Sequence, residues 1–320
     1  MHKNVILTFI FLGIFSFGFS QNGKIIDREE LQWKKDTIFN NLYGGKKLNS
    51  KYNYLNTVTI EKITYLSDGL KVKGYLVSPK KEGNYPCIIY NRGGNKEFGK
   101  LTPQKAVFIL AKVASWGYTV AASQYRGNDG GEGKEEFGGA DVNDVLNLVP
   151  LFKNVPQTDT TKMGIYGWSR GGMMTYLALT RTNKFKAAVV GGGASDLRMI
   201  METRKDTFET VYIENIPNYL KNKSKALNER SAINQVENIT KKTPILMLHG
   251  TSDWRVVPEM SLDLSSAFIK HKIPHRLVLL EGGNHGLSEF GDEVNTLVKK
   301  WFDDYLKNGK PLPNLQPHGR

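Results

Sequence analysis

The stretch GWSRGG, residues 167–172, decides how this chain is read. An apolar run (163–166) precedes it, and a segment of helical character (171–182) follows. A serine at the centre of Gly-x-Ser-x-Gly, between a strand and a helix, is forced onto a sharp turn that exposes its hydroxyl above the sheet. Gly167, Gly171 and Gly172 carry no Cβ to obstruct that turn or the packing of the helix. A serine hydroxyl is a weak nucleophile alone, so the reading needs a base and an acid that orients it.

Both lie downstream. In sites of this type the chain order is serine, acid, histidine, each on a loop after a strand. The apolar run 244–248 leads into HGTSDWRVVP, which places Asp253 on the following loop. The run 277–280 leads into EGGNHG, which places His285 on the loop after that. Open parallel sheets assemble their sites at this carboxyl edge. Asp196, after the run 187–190 and GGGAS, is the rival acid one strand earlier, and Asp253 is preferred to it. Glu281 stands too close to a strand end to reach the histidine. His249 closes a strand, His271 and His275 flank a helix end, and His2 and His318 lie near the termini.

Working outward, residues 57–66 and 70–77 read as two strands joined by the tight turn Asp68-Gly69. Short apolar runs at 86–90, 118–122, 163–166, 187–190, 245–248 and 277–280 suit strands covered on both faces. Helical segments fall between them at 103–116, 141–152, 171–182, 258–271 and 288–306. This alternation predicts an α/β fold, a mostly parallel doubly wound sheet after an antiparallel hairpin. Residues 196–243 break the rhythm and read as a small helical insertion above the site. Arg198 and Arg204 lie in it and could face a substrate carboxylate, although nothing in their spacing requires it. Residues 21–56 read as a helix-bearing extension, with Trp33, Ile38, Phe39 and Leu42 packed on the main body.

Six motifs carry a family resemblance: SDGLKVKGYLVSP, IIYNRGGN, YRGNDGGEG, GWSRGG, HGTSDWRVVP and GGNHG. With them, residues 58–306 resemble the catalytic domain of the prolyl oligopeptidase (S9) group of α/β-hydrolases. The resemblance implies nucleophile Ser169, acid Asp253 and base His285. It also implies an oxyanion hole from the Arg170 amide and the 91–95 loop, with Gly93 or Gly94 as second donor. Relatives often carry tyrosine or histidine where Arg92 stands, which makes a backbone amide the expected donor; Arg92 and Trp168 are candidate substrate contacts. YRGNDGGEG is expected to shape the rim of the site. The best-known peptidases of the group carry a β-propeller ahead of this domain. Here only residues 21–57 precede the hairpin and no blade-like repeat is visible, so substrate selection falls to the hydrolase loops or another subunit.

Composition narrows the partners. The 320 residues carry a formal charge of +13, but the basic pairs are scattered among acids, so no nucleic-acid arm is expected. Lys3, the apolar run 5–19 and the small residues Gly18 and Ser20 before Gln21 read as a secretory signal peptide. That run is shorter than the ~20 residues that span a bilayer as a helix. The single cysteine, Cys87, lies in a strand and forms no internal disulfide. No spacing suggests a metal site or phosphate loop, so no cofactor is expected. The expectation is an exported serine hydrolase with a leader (1–20), an extension (21–57) and a catalytic domain (58–320). It is a peptidase by resemblance, or a carboxylesterase using the same triad, acting on a peptide or small ester.

Overall fold

The computed structural model describes residues 21–319. The leader expected over residues 1–20 lies outside them. The described residues form one main sheet of β1 (Ile25–Glu30), β2 (Val58–Ser67), β3 (Leu70–Pro79), β4 (Tyr85–Asn91), β5 (Thr119–Ser123), β6 (Thr158–Trp168), β7 (Phe185–Gly191), β8 (Ile245–Gly250) and β9 (His275–Leu280). Their spatial order is β1-β2-β3-β5-β4-β6-β7-β8-β9. The first three strands and the β3–β5 pair are antiparallel. From β5 through β9 every pairing is parallel.

Strand periodicity explains how one sheet closes two cores. Cys87 and Ile89 of β4 enter one cluster, while Ile88 and Tyr90 enter the other. The first face is covered by Val142–Leu146, Leu148–Phe152, Arg170–Arg181 and Glu259–His271. The second is covered by residues 103–114 and Gly291–Phe302. The hairpin is as read: Ser67 pairs with Leu70, and Asp68 and Gly69 both take positive φ, 51° and 82°. That is the twist a two-residue turn needs to join antiparallel strands.

Three expectations change. The extension before residue 57 contains a strand, β1, on the sheet edge and two 3₁₀ segments, Thr37–Leu42 and Ser50–Thr57, rather than an α-helix. The β1 sequence IIDREE half-buries Ile25 and leaves the other five residues exposed, which an edge strand tolerates. Trp33, Phe39 and Leu42 are buried as expected, but Ile38 is 45% exposed. The last strand, β9, is only partly covered because it closes the opposite edge. The interruption at 196–243 is helical, with Leu197–Asn215 and Lys223–Arg230 as its main parts. Among the described residues no helix is long and apolar enough to cross a membrane.

Candidate active site

The turn after β6 is shaped by contact distances. A Cβ on Gly167 would lie 2.0 Å from Gly171 O, and one on Gly171 would lie 1.9 Å from Asn91 O. No larger residue fits either place. Between them Ser169 takes φ 59° and ψ −125°, a conformation that costs a side-chain-bearing residue about 1–3 kcal/mol. Its amide donates to Gly191 O (2.9 Å), and its carbonyl accepts from Gly172 N (2.9 Å) and Ala194 N (3.3 Å). The strain is thus held from both sides, and it points the hydroxyl into a cavity.

Asp253 and His285 meet there. His285 Nδ1 lies 2.7 Å from Asp253 Oδ2, while Asp253 Oδ1 accepts from the amides of Arg255 (2.9 Å) and Val256 (3.1 Å). Burial alone would raise this carboxyl's pKa. Hydrogen bonds from His249 and His285, with the Val256 amide, override it and hold the group well below the usual carboxylate range. Fixed at Nδ1, the imidazole leaves Nε2 for chemistry. Ser169 and His285 line the same cavity of about 840 Å³. Among the described residues the Ser169 hydroxyl has no hydrogen-bond partner. Nucleophile–base contacts commonly stay loose until substrate binds. Asp196, the rival acid, instead accepts from Arg198 N (2.8 Å) and caps the helix Leu197–Asn215.

The wall formed by residues 92–99 approaches Ser169 closely: a Cβ on Gly93 would lie 3.1 Å from Ser169 Cβ. Among the described residues nothing accepts from the amides of Gly93 or Arg170, which leaves both able to donate to a developing oxyanion. The Arg170 guanidinium runs the other way. It donates to Gly94 O (2.9 Å), to Glu135 and to Asp141 Oδ2 (2.6 Å), stacked between Tyr125 and Phe137. Arg92 borders the cavity, yet its guanidinium is 1% exposed and is spent on the carbonyls of Gln124, Gly93 and Lys96. Its observed work is to hold this loop. YRGNDGGEG does not shape the rim and contributes no residue to the cavity lining. It braces the wall from behind, with Tyr125 OH donating to Arg92 O (2.9 Å) and Asn128 Nδ2 to Glu135 Oε2 (2.8 Å).

Trp168 lines the cavity, and its indole N–H donates to His285 O at 2.8 Å, fixing the histidine loop. His249 is wholly buried, with Nδ1 2.6 Å from Ser261 Oγ and Nε2 2.7 Å from Val256 O and 3.2 Å from Asp253 Oδ2. Its part in seating the acid was not read from the sequence, although its place four residues before Asp253 was a usable signal. Glu135 and Asp141 were also missed. Nothing in GEGKEEFGGAD separates the buried carboxylates from the solvated ones. Cys87 is buried, and burial followed by the nearby Asp159 charge pushes its thiol up to about 12, so it supplies no thiolate.

The opposite wall comes from the insertion. Ile200, Arg204, Phe208 and Val211 line the cavity with Arg255 and Val256. Serine, imidazole, buried carboxylate and two free amides around one mostly apolar cavity make an arrangement able to carry acyl transfer.

The prolyl oligopeptidase family profile matches residues 105–309. An uncharacterized Bacillus subtilis peptidase, YtmA, is 35% identical over 200 residues, which is 62% of this chain and 75% of that protein. Dipeptidyl-peptidase 5 of Porphyromonas gingivalis is 26% identical over 75% of this chain, which spans only 37% of that relative's length. Another Bacillus subtilis relative, YuxL, is likewise matched over 41% of its length. An acylaminoacyl peptidase structure from Pyrococcus horikoshii superposes with a TM-score of 0.67 at 23% identity, covering 83% of this chain and 46% of that one, a likeness of fold. With its α/β-hydrolase sheet, its strained serine turn and a family match over most of its length, the chain belongs to the prolyl oligopeptidase family of serine hydrolases.

Proposed function

We propose that this protein is a serine peptidase that cleaves peptide or aminoacyl bonds through an acyl-enzyme on Ser169. The observation that carries the reading is the His285 Nδ1–Asp253 Oδ2 contact of 2.7 Å beside a serine held at φ 59° in the same cavity. His285 Nε2 takes the Ser169 proton as the oxygen attacks the substrate carbonyl. Asp253 keeps the ring in the required tautomer and stabilises its charged form. The amides of Arg170 and Gly93 meet the tetrahedral oxyanion, and losing one such donor typically costs roughly 100- to 1,000-fold in turnover. His285 then protonates the leaving amine, and water attacks the acyl-enzyme by the same route.

The test is covalent. Ser169→Ala is expected to abolish labelling by a fluorophosphonate, and Asp253→Asn to lower kcat roughly 10⁴-fold while Asp196→Asn changes it little. Labelling at another serine, or the reverse ranking of the two aspartates, refutes the assignment. Turnover of short nitrophenyl esters without any cleavage of aminoacyl arylamides would make the protein a carboxylesterase on the same triad. The proposal also takes residues 1–20 as a secretory leader, on Lys3 and the apolar run 5–19. A mature N-terminus at Gln21, found by mass spectrometry on exported protein, is the expected result.

A further inference from the structure

Four arginines border the catalytic cavity, and they divide into two kinds. Arg92 and Arg170 are buried against Glu135 and Asp141. Arg204 and Arg255 are half-buried on the insertion wall, and among the described residues neither pairs with a carboxylate. Arg204 is oriented: its guanidinium lies 4.8 Å from the Phe208 ring and 5.1 Å from the Trp254 ring, and Nη1 donates to Arg255 O at 3.2 Å. Arg255 is oriented too, its amide tied to Asp253 Oδ1 at 2.9 Å and its guanidinium 5.5 Å from the Trp254 ring. Burial, then the neighbouring Arg255 charge, hold the Arg204 pKa below its ordinary value. Two like charges are therefore ordered around one ring, that of Trp254, within reach of each other's field and with most of their donors unspent.

Within the site the charge that opposes them at Arg204 is that of Asp253, already bound to His285. Lys105 and Lys112 also line the cavity, and among the described residues no aspartate or glutamate does. A substrate ammonium would find no carboxylate on these walls. A carboxylate would relieve the Arg204–Arg255 repulsion and accept forked hydrogen bonds from planar guanidinium groups.

We propose that the preferred substrates carry a carboxylate close to the scissile bond, bound by Arg204 and Arg255. This rests on Ser169 being the nucleophile. The two arginines thereby act as specificity-determining residues, selecting acidic peptides over neutral isosteres.

The experiment compares Glu with Gln, which differ in charge and hardly in shape. N-acetylated fluorogenic peptides vary the residues before the cleaved bond, and internally quenched peptides vary those after it. At one position Glu is expected to exceed Gln by roughly tenfold or more in kcat/KM, a preference that weakens as salt is added. In the Arg204→Met/Arg255→Met double variant that ratio is expected to collapse toward one. Wild-type protein that labels at Ser169 yet cleaves Gln peptides as well as Glu peptides at every position overturns the proposal and leaves the hydrolase reading standing. A Glu preference that persists in the double variant overturns it as well. Wild-type protein that does not label at Ser169 overturns both readings.

Discussion

The two walls of the catalytic cavity are built on opposite electrostatic plans. On the oxyanion side, Arg92 and Arg170 are 1% and 4% exposed, and their charges are met by Glu135 and Asp141, which are 3% and 0% exposed. On the insertion side, Arg204 and Arg255 are half-buried and have no carboxylate partner among the described residues. The Arg170 pKa makes the same point. Burial would lower it, but Glu135 and Asp141 together raise it above the ordinary value, whereas burial and the Arg170 charge hold Arg92 below its own. A buried charge whose partner sits in the protein fixes backbone. Here it fixes the loop that must present its amides to an oxyanion without reorganising. A charge whose partner is missing from the protein is available to a ligand.

The same substitution made on each wall tests this contrast most severely. Arg170→Met leaves the buried Asp141 carboxylate without its cation, takes from Glu135 one of its two arginines and releases Gly94 O, so it is expected to cost about 3–5 kcal/mol of stability. Arg204→Met keeps the stem between Phe208 and Trp254 and strands nothing but a carbonyl, so its cost is expected within about 1 kcal/mol. Urea unfolding of both variants measures the difference. Equal losses would erase the distinction between scaffold and recognition charges.

Acidity sharpens the contrast in a second way. Asp253 has a folded pKa below its unfolded value, so its contribution to stability is fully present above the unfolded value of about 3.9. That contribution is lost as pH falls through the folded value. Asp253 therefore stays ionised between about pH 5 and 8, and a change in rate there has another source. A general base accepts a proton only in its neutral form, so the rate is expected to rise with pH. Over that window the Glu-to-Gln preference is expected to stay level, because glutamate and guanidinium both remain ionised. Steady-state kinetics on paired peptides separates the two. A preference that tracks the rate would tie recognition to the triad rather than to the insertion wall.

The contrast also marks where the sequence could be read. Apolar runs of four or five residues located β4 to β9; for β4 to β8 they reflect cover on both faces, while β9 kept such a run at a half-covered edge. The turn Gly167–Gly172 was legible because two close backbone approaches leave glycine as the sole choice. The strand β1 was not, since IIDREE carries one short apolar pair and its pairing with β2 is set by tertiary contact. The meeting of Asp253 with His285 was foreseeable from chain order and the family motifs, which left Asp196 as a rival acid. Which of Glu132, Glu135 and Glu136 would be buried against Arg170 was not, because their sequence neighbourhoods are alike and only the folded loop distinguishes them. Arg92, expected as a candidate contact for substrate, faces the Gln124 and Lys96 carbonyls. A sequence gives its position beside the site but not the direction of its side chain.

The smallest expected effect lies where the two walls touch. Lys96 Nζ sits 2.6 Å from Glu214 Oε2, joining the oxyanion loop to the far end of the helix Leu197–Asn215. The two side chains are 50% and 48% exposed, so water and salt screen the pair, and such contacts contribute about 0–1 kcal/mol. Lys96→Ala is therefore expected to shift Tm by no more than about 2–4 °C and to leave kcat/KM within a few-fold of wild type. The loop would still be held by Arg92, Glu135 and Arg170, none of which depends on Lys96's side chain. A drop in kcat/KM beyond roughly tenfold would mean that the insertion helps to position the oxyanion amides. The walls would then work as one unit, and the division between a fixed side and a recognising side would fail at that bridge.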